Sequence, residues 1–273
     1  MVAFVRGSRL IAAAVSAMVV ALVLGPPTAS SAGRPHRTGL AAPREKQIAM
    51  ELVSSAENST LDWRREYGYI QDIGDGRGYT AGLIGFCSGT GDMLAVVRSY
   101  VRAEPSDPLA RFLPALRRVN GTASHRGLGR PFVRAWKLAA RDPVFRRMQM
   151  RELDRVYFDP AVRRAKRDGL GTLGQFIYYD AIVMHGDGWG DLDFSSIRQR
   201  ALNTGVRPPA QGGDEIRWLH AFLDARAWTM KQEPAHEDTS RVDTAQRRFL
   251  NEGKLNLERP LQWHVYGQQF DIR

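Results

Sequence analysis

The chain has 273 residues, a formal charge of +10 and one cysteine, Cys87, which lies in the apolar run LIGFCSG as a buried, inert thiol would. A lone cysteine excludes an intramolecular disulfide, and with six dispersed histidines it leaves no Cys/His metal site, so packing must hold the fold. The charge is unevenly spread: Arg98 to Arg167 holds 18 Lys or Arg against 6 Asp or Glu, whereas Glu57 to Asp92 holds 6 acids against 3 arginines. The basic average therefore does not point to nucleic acid, because an acidic island sits within it.

In chain order, Arg6 and Arg9 precede the apolar run Leu10 to Leu24, and Ser30 and Ala32 follow as small residues at a cleavage site. This is the pattern of a secretory signal peptide over residues 1–32. The run is shorter than the roughly 20 residues of a membrane span, so export without membrane insertion is expected. Residues 33–44 read as a flexible segment and 45–273 as one large domain or two modest lobes. Ile48, Ala49, Leu52, Val53 and Ala56 recur at helical spacing in Arg44 to Asn58. Glu57 follows Val53 by four residues, which places it on the apolar face, where burial would favour its protonated form.

The stretch YTAGLIGFCSG suggests a short strand or hairpin, and Thr90 a cap for the helix beginning GDMLAVV. Amphipathic helices with basic outer faces follow. Gly169 to Gly186 is apolar on nearly every side, the mark of a central buried helix. Asp180 stands inside it and needs a partner; Arg226 and Arg241 are the candidates, forming an ionic chain toward Glu57. After the loop VRPPAQGGDE, Gly213 and Asp214 open the helix EIRWLHAFLDARAWTMKQ. Helices outnumber strands, so the class is mainly α with a small β element.

The glycine-rich stretch QDIGDGRGYTAG, Gln71 to Gly82, has no Gly-Lys-Ser/Thr, no G-x-G-x-x-G and no calcium-loop ligand spacing. No metal or cofactor is expected. What remains is Asp75 between Gly74 and Gly76, open to solvent and to a bulky polymer. Two carboxyls in contrasting surroundings suit glycoside hydrolysis, although many chains carry a helix-end Glu and a turn Asp this close. Trp63 could be a sugar platform, but core packing suits it better.

The segments MELVSSAENSTLDW, YGYIQDIGDGRGYTAGLIGFCSGTGDM, PALRRVNG, LDRVYFDPAV, GQFIYYDAIVMHG, PAQGGDE and HEDTSRVDTAQR resemble the bacterial secreted chitosanases of glycoside hydrolase family 46. The resemblance runs from about Lys46 to the C-terminus, departing locally at GDGWGDLDF and LNTGVRPPAQ. It implies a two-lobed, lysozyme-like fold with a small β element beside a cleft and a long connecting helix. It also implies a secreted, inverting endo-hydrolase of β-1,4-linked glucosamine polymers; a monomer is expected, although the sequence does not fix the oligomeric state. By the same resemblance Glu57 is the general acid, Asp75 the general base, and Thr80 the hydroxyl that holds the water. Ser59, Tyr69, Arg77 and Asp92 would bind substrate from one lobe, and Glu233, His236 and Asp238 from the other. Chitosan is a polycation, which suits the acidic island; the basic excess is then a solvated outer face. The rival readings are a lysozyme-like hydrolase of peptidoglycan or chitin and a non-enzymatic wall or nucleic-acid binder.

Overall fold

The first helix, α1 (Pro43–Asn58), starts with proline in its first turn, where the missing N–H costs nothing. Ile48, Ala49, Leu52, Val53 and Ala56 are all buried, as their spacing requires. The chain is described here from a computed structural model covering residues 39–188, 190–233 and 237–273. The expected signal peptide, residues 33–38 and His236 lie outside the described residues. Within the segment expected to be flexible, Leu40 is fully buried with its N–H on Gln175 Oε1 (2.9 Å), and the helix already begins at Pro43, so that expectation is corrected from Gly39 onward. Helix α1 ends at Ser59, whose φ of +52° is left-handed.

The first lobe follows. A 3-10 turn, Trp63–Gly68, leads into an antiparallel sheet of β1 (Ile70–Asp72), β2 (Tyr79–Ala81) and β3 (Phe86–Cys87). Ile70 pairs with Ala81 and Asp72 with Tyr79, which leaves residues 73–78 as the hairpin loop. Helices α2 (Asp92–Ala103), α3 (Leu113–Val119), α4 (Gly129–Ala139) and α5 (Pro143–Leu153) complete this lobe. Edge-to-face rings of Tyr100, Phe132, Trp136 and Phe145 form its centre, and Trp63 is core as expected. Trp136 Nε1 and Gln149 Nε2 both donate to the Tyr67 carbonyl, tying the 3-10 turn to α4 and α5. Thr90 does not cap α2: Gly91, at φ +90°, precedes the helix, and the Thr90 hydroxyl donates instead to Asp92 Oδ1 (2.7 Å).

The second lobe is built round α7 (Thr172–His185), buried along nearly its whole length as its apolar sequence predicts. Around it lie α6 (Asp159–Arg167), α8 (Phe194–Asn203), α9 (Glu215–Met230), α10 (Arg247–Asn251) and the hairpin of β4 (Leu261–Val265) and β5 (Gln268–Ile272). Asp214 caps α9, accepting from the Arg217 N–H (2.9 Å). The connecting helix is α5 running into α6, from Pro143 to Arg167, with a π-helical turn at Asp154–Phe158. Periodicity alone does not forecast such a turn, nor the C-terminal hairpin.

Asp180 is the polar centre of the second lobe. Its Oδ1 accepts from Arg241 Nη2 (2.7 Å), and its Oδ2 accepts from Arg226 Nη1 (2.7 Å) and Gln246 Nε2 (2.6 Å). Arg226, fully buried, also reaches the Asp180 carbonyl (3.3 Å) and His185 Nε2 (3.4 Å). Burial alone would push the Asp180 carboxyl up, but Arg241 and then Arg226 hold it far below the ordinary carboxylate range. A carboxyl depressed in this way stabilises the fold above about pH 4 and loses that contribution as acidity increases. Asp180→Ala should therefore lose about 3–5 kcal/mol at neutral pH, because it strands two buried guanidiniums. Urea unfolding checks this, and the gap between Asp180→Ala and wild type should narrow on acidification.

Candidate active site

A cleft of about 1060 Å³ is lined by residues of α1, the three-stranded sheet, α2, the long connecting helix and α7, with Arg241 and Tyr266. Glu57, Tyr69, Arg77, Thr80 and Asp92 are all in its wall, so residues from Glu57 to Asp92 in the sequence converge on one surface. Of the acids in the island, Glu57 and Asp92 line the cleft, beside Arg77, Arg98, Arg155 and Arg241, so the acidic island expected from the sequence does not become an acidic lining.

Glu57 is not buried on the apolar face of α1. Its side chain is 32% exposed, one position beyond the last buried residue of the helix, and Oε1 lies 2.9 Å from Arg241 Nη1. An arginine facing the carboxyl replaces the apolar surroundings that spacing suggested. Since Arg241 Nη2 is bonded to Asp180, Glu57 is the outer end of the chain Glu57–Arg241–Asp180–Arg226. All three network candidates, Asp180, Arg226 and Arg241, are thus brought together.

Asp75 sits in the hairpin loop between Ile73 and Arg77, which line the cleft, and is not itself among the lining residues. Gly74 and Gly76 have φ of +74° and +81°, and a Cβ at either would meet nothing within 4 Å. The backbone therefore needs glycine, and the space beside the carboxylate is open. The carboxylate accepts from Arg77, through the backbone N–H (2.9 Å), Nε (2.8 Å) and Nη2 (2.6 Å). Partial burial works against ionisation, but the side-chain and backbone bonds from Arg77 outweigh it and hold Asp75 below the usual carboxylate range. Arg77 ties down the loop and lines the cleft at once.

Thr80 is buried on β2, with its hydroxyl 3.6 Å from Cys87 Sγ. Cys87 is buried as expected, yet its thiol belongs to the cleft wall. Asp92 Oδ1 accepts from Cys87 N–H (2.9 Å), Thr90 Oγ1 (2.7 Å) and Met93 N–H (2.8 Å), and among the described residues Oδ2 accepts none. Burial pushes this carboxyl up, partly offset by those bonds.

The remaining candidates are more dispersed. Ser59 is exposed at the end of α1, and Asp238 is exposed with Oδ1 on the Ser240 N–H (2.7 Å). Glu233 is half-buried, with Oε2 3.7 Å from Nδ1 of His185, whose Nε2 accepts from Arg226 Nε (3.4 Å). None of these three lines the main cleft.

Spacing missed Arg155, Val156, Tyr157 and Tyr266, which do line it. Arg155 to Tyr157 are presented by the π-helical turn in the connecting helix, and Arg241 begins a second one, Arg241–Gln246. Turns of this kind rotate side chains out of helical register and concentrate at functional sites. Among the described residues no group of histidine, cysteine or carboxylate side chains has the arrangement of a metal site, and no helix is long and apolar enough to cross a membrane.

Residues 51–261 match the model of glycosyl hydrolase family 46. A chitosanase of Streptomyces sp. (strain N174) is 61% identical over 234 residues, spanning 86% of this chain and 84% of that protein. A chitosanase of Nocardioides sp. (strain N106) is 55% identical over 246 residues, spanning 90% and 88%. Among solved structures, chitosanase OU01 in co-crystal with substrate superposes with a TM-score of 0.81 at 56% identity, covering 86% of this chain and 99% of that one. With its mainly helical lysozyme-like fold, its cleft beside a small sheet and this extent of similarity, the chain belongs to glycosyl hydrolase family 46.

Proposed function

We propose that the chain is a secreted, monomeric chitosanase that cuts β-1,4 bonds within glucosamine polymers with inversion, using no metal or cofactor. The observation that carries this reading is Glu57 in the cleft wall, with Asp75 on the adjoining hairpin loop bonded to the cleft-lining Arg77, in a chain 61% identical to a chitosanase. Glu57, fixed by Arg241 at the end of α1, donates a proton to the leaving glycosidic oxygen. Asp75, kept ionised by Arg77, takes a proton from a water as that water attacks the anomeric carbon from the opposite face. The carbon–oxygen bond to the leaving sugar breaks in the same step. The Thr80 hydroxyl helps hold the water.

Inversion needs room for water between the carboxyls, roughly 6.5–9.5 Å, and a helix end set against a separate hairpin loop is suited to leaving it. The substrate is a polycation, so its selection over neutral sugars falls to individual carboxylates of the cleft rather than to its net charge. Asp92 Oδ2 is a fitting acceptor for a sugar ammonium. Tyr69 and Arg77 extend the binding surface in the cleft wall, whereas Ser59, Glu233 and Asp238 stand outside the main cleft and would meet only sugars beyond it; a role for His236 rests on the family resemblance alone.

A panel of chitosan, chitin and peptidoglycan should give turnover on chitosan alone. Glu57→Gln and Asp75→Asn should each lose about 10²–10⁴-fold in kcat. Undiminished turnover by either variant, or preference for chitin or peptidoglycan, would overturn the reading. Arg77→Ala removes the bonds that keep Asp75 ionised, so the acid limb of its kcat/KM profile should move to higher pH; an unmoved limb would contradict the role given to Arg77.

A further inference from the structure

His125 belongs to the loop between α3 and α4 and is not among the residues lining the cleft. Its ring meets the root of the hairpin that carries Asp75. Asp72 and Tyr79 are the last cross-strand pair before loop residues 73–78, and His125 touches both. The Tyr79 ring lies against the imidazole at 4.2 Å between centroids. On the other strand, Asp72 Oδ2 is 3.6 Å from His125 Nε2, a buried nitrogen that makes no hydrogen bond among the described residues. Asp72 Oδ1 accepts from the Gly74 N–H (2.9 Å), so the carboxylate facing His125 also sets the first turn of the loop.

The loop has little else to hold it. Gly74 and Gly76 contribute no side-chain packing, and the loop's own carboxylate is bonded to Arg77 within the same loop. Its far end is fixed by Gly89 N–H on the Arg77 carbonyl (2.9 Å) and by Ser88, which packs close to Gly78 and accepts from the Tyr79 N–H (2.9 Å). Beyond that, the loop takes its direction from the pair Asp72–Tyr79. We propose that His125 is a positioning residue for the base: it clamps this pair from outside the cleft and thereby aims Asp75 at the water. The inference rests on the reading of Asp75 as the base.

Three variants separate the contributions of His125. His125→Phe keeps a ring against Tyr79 without the nitrogen facing Asp72, His125→Gln keeps a polar group without the ring, and His125→Ala removes both. Activity on chitosan is measured per folded molecule, with the folded fraction taken from near-UV circular dichroism. Because a misaimed base slows the chemical step more than it weakens polymer binding, His125→Ala should lose about tenfold or more in kcat with KM within about twofold of wild type. His125→Phe and His125→Gln should each recover part of the loss, and adding His125→Ala to Asp75→Asn should cost nothing further. Wild-type kcat in His125→Ala beside an inactive Asp75→Asn would overturn this inference alone. An active Asp75→Asn would overturn the base assignment and this inference with it.

Discussion

A buried carboxylate between two arginines organises this molecule. Asp180 lies within an apolar helix, where an unpaired charge is strongly disfavoured, and Arg226 and Arg241 come from different parts of the second lobe to compensate it. The arrangement fixes α7, α9 and the π-helical turn at Arg241 relative to one another. It also leaves Arg241 with a second nitrogen directed outward, and that nitrogen meets Glu57 at the end of α1. The orientation of the cleft carboxyl is thus inherited from the core of the opposite lobe. Replacing the network by apolar residues of equal volume could conserve stability, but it would free Glu57.

The two carboxylates, Glu57 in the cleft wall and Asp75 on the adjoining loop, are held by different physical means. Glu57 is tied to a buried network whose charges largely cancel, so its position is set by rigid helices. Asp75 is held locally by a single arginine two residues away, on a loop whose glycines keep neighbouring side chains clear. The first arrangement fixes a direction, while the second keeps a charge ionised and accessible. A proton donor and a water-activating base have those respective needs.

Much of this was legible in the sequence, for identifiable reasons. The apolar spacing of α1 and the continuous apolarity of α7 predicted helices and their burial, and the rule that a buried carboxylate needs partners led from Asp180 to Arg226 and Arg241. The glycines around Asp75 announced an open loop. Other features depend on tertiary context that spacing does not encode. Glu57 lies one residue past the buried face and meets an arginine nearly two hundred positions away. The π-helical turns that bring Tyr157 and Arg241 to the cleft each insert a residue without altering composition. Thr90, a good cap by type, is engaged by Asp92 instead because Gly91 takes the left-handed conformation at the helix start.

The central claim is that Glu57 and Asp75 divide a single displacement between them, with water entering on the face opposite the leaving sugar. Proton NMR of the first reducing ends released from chitosan, recorded before mutarotation, tests this most directly. The account predicts the α-anomer as the initial product. Initial release of the β-anomer would mean a covalent double displacement and would contradict it.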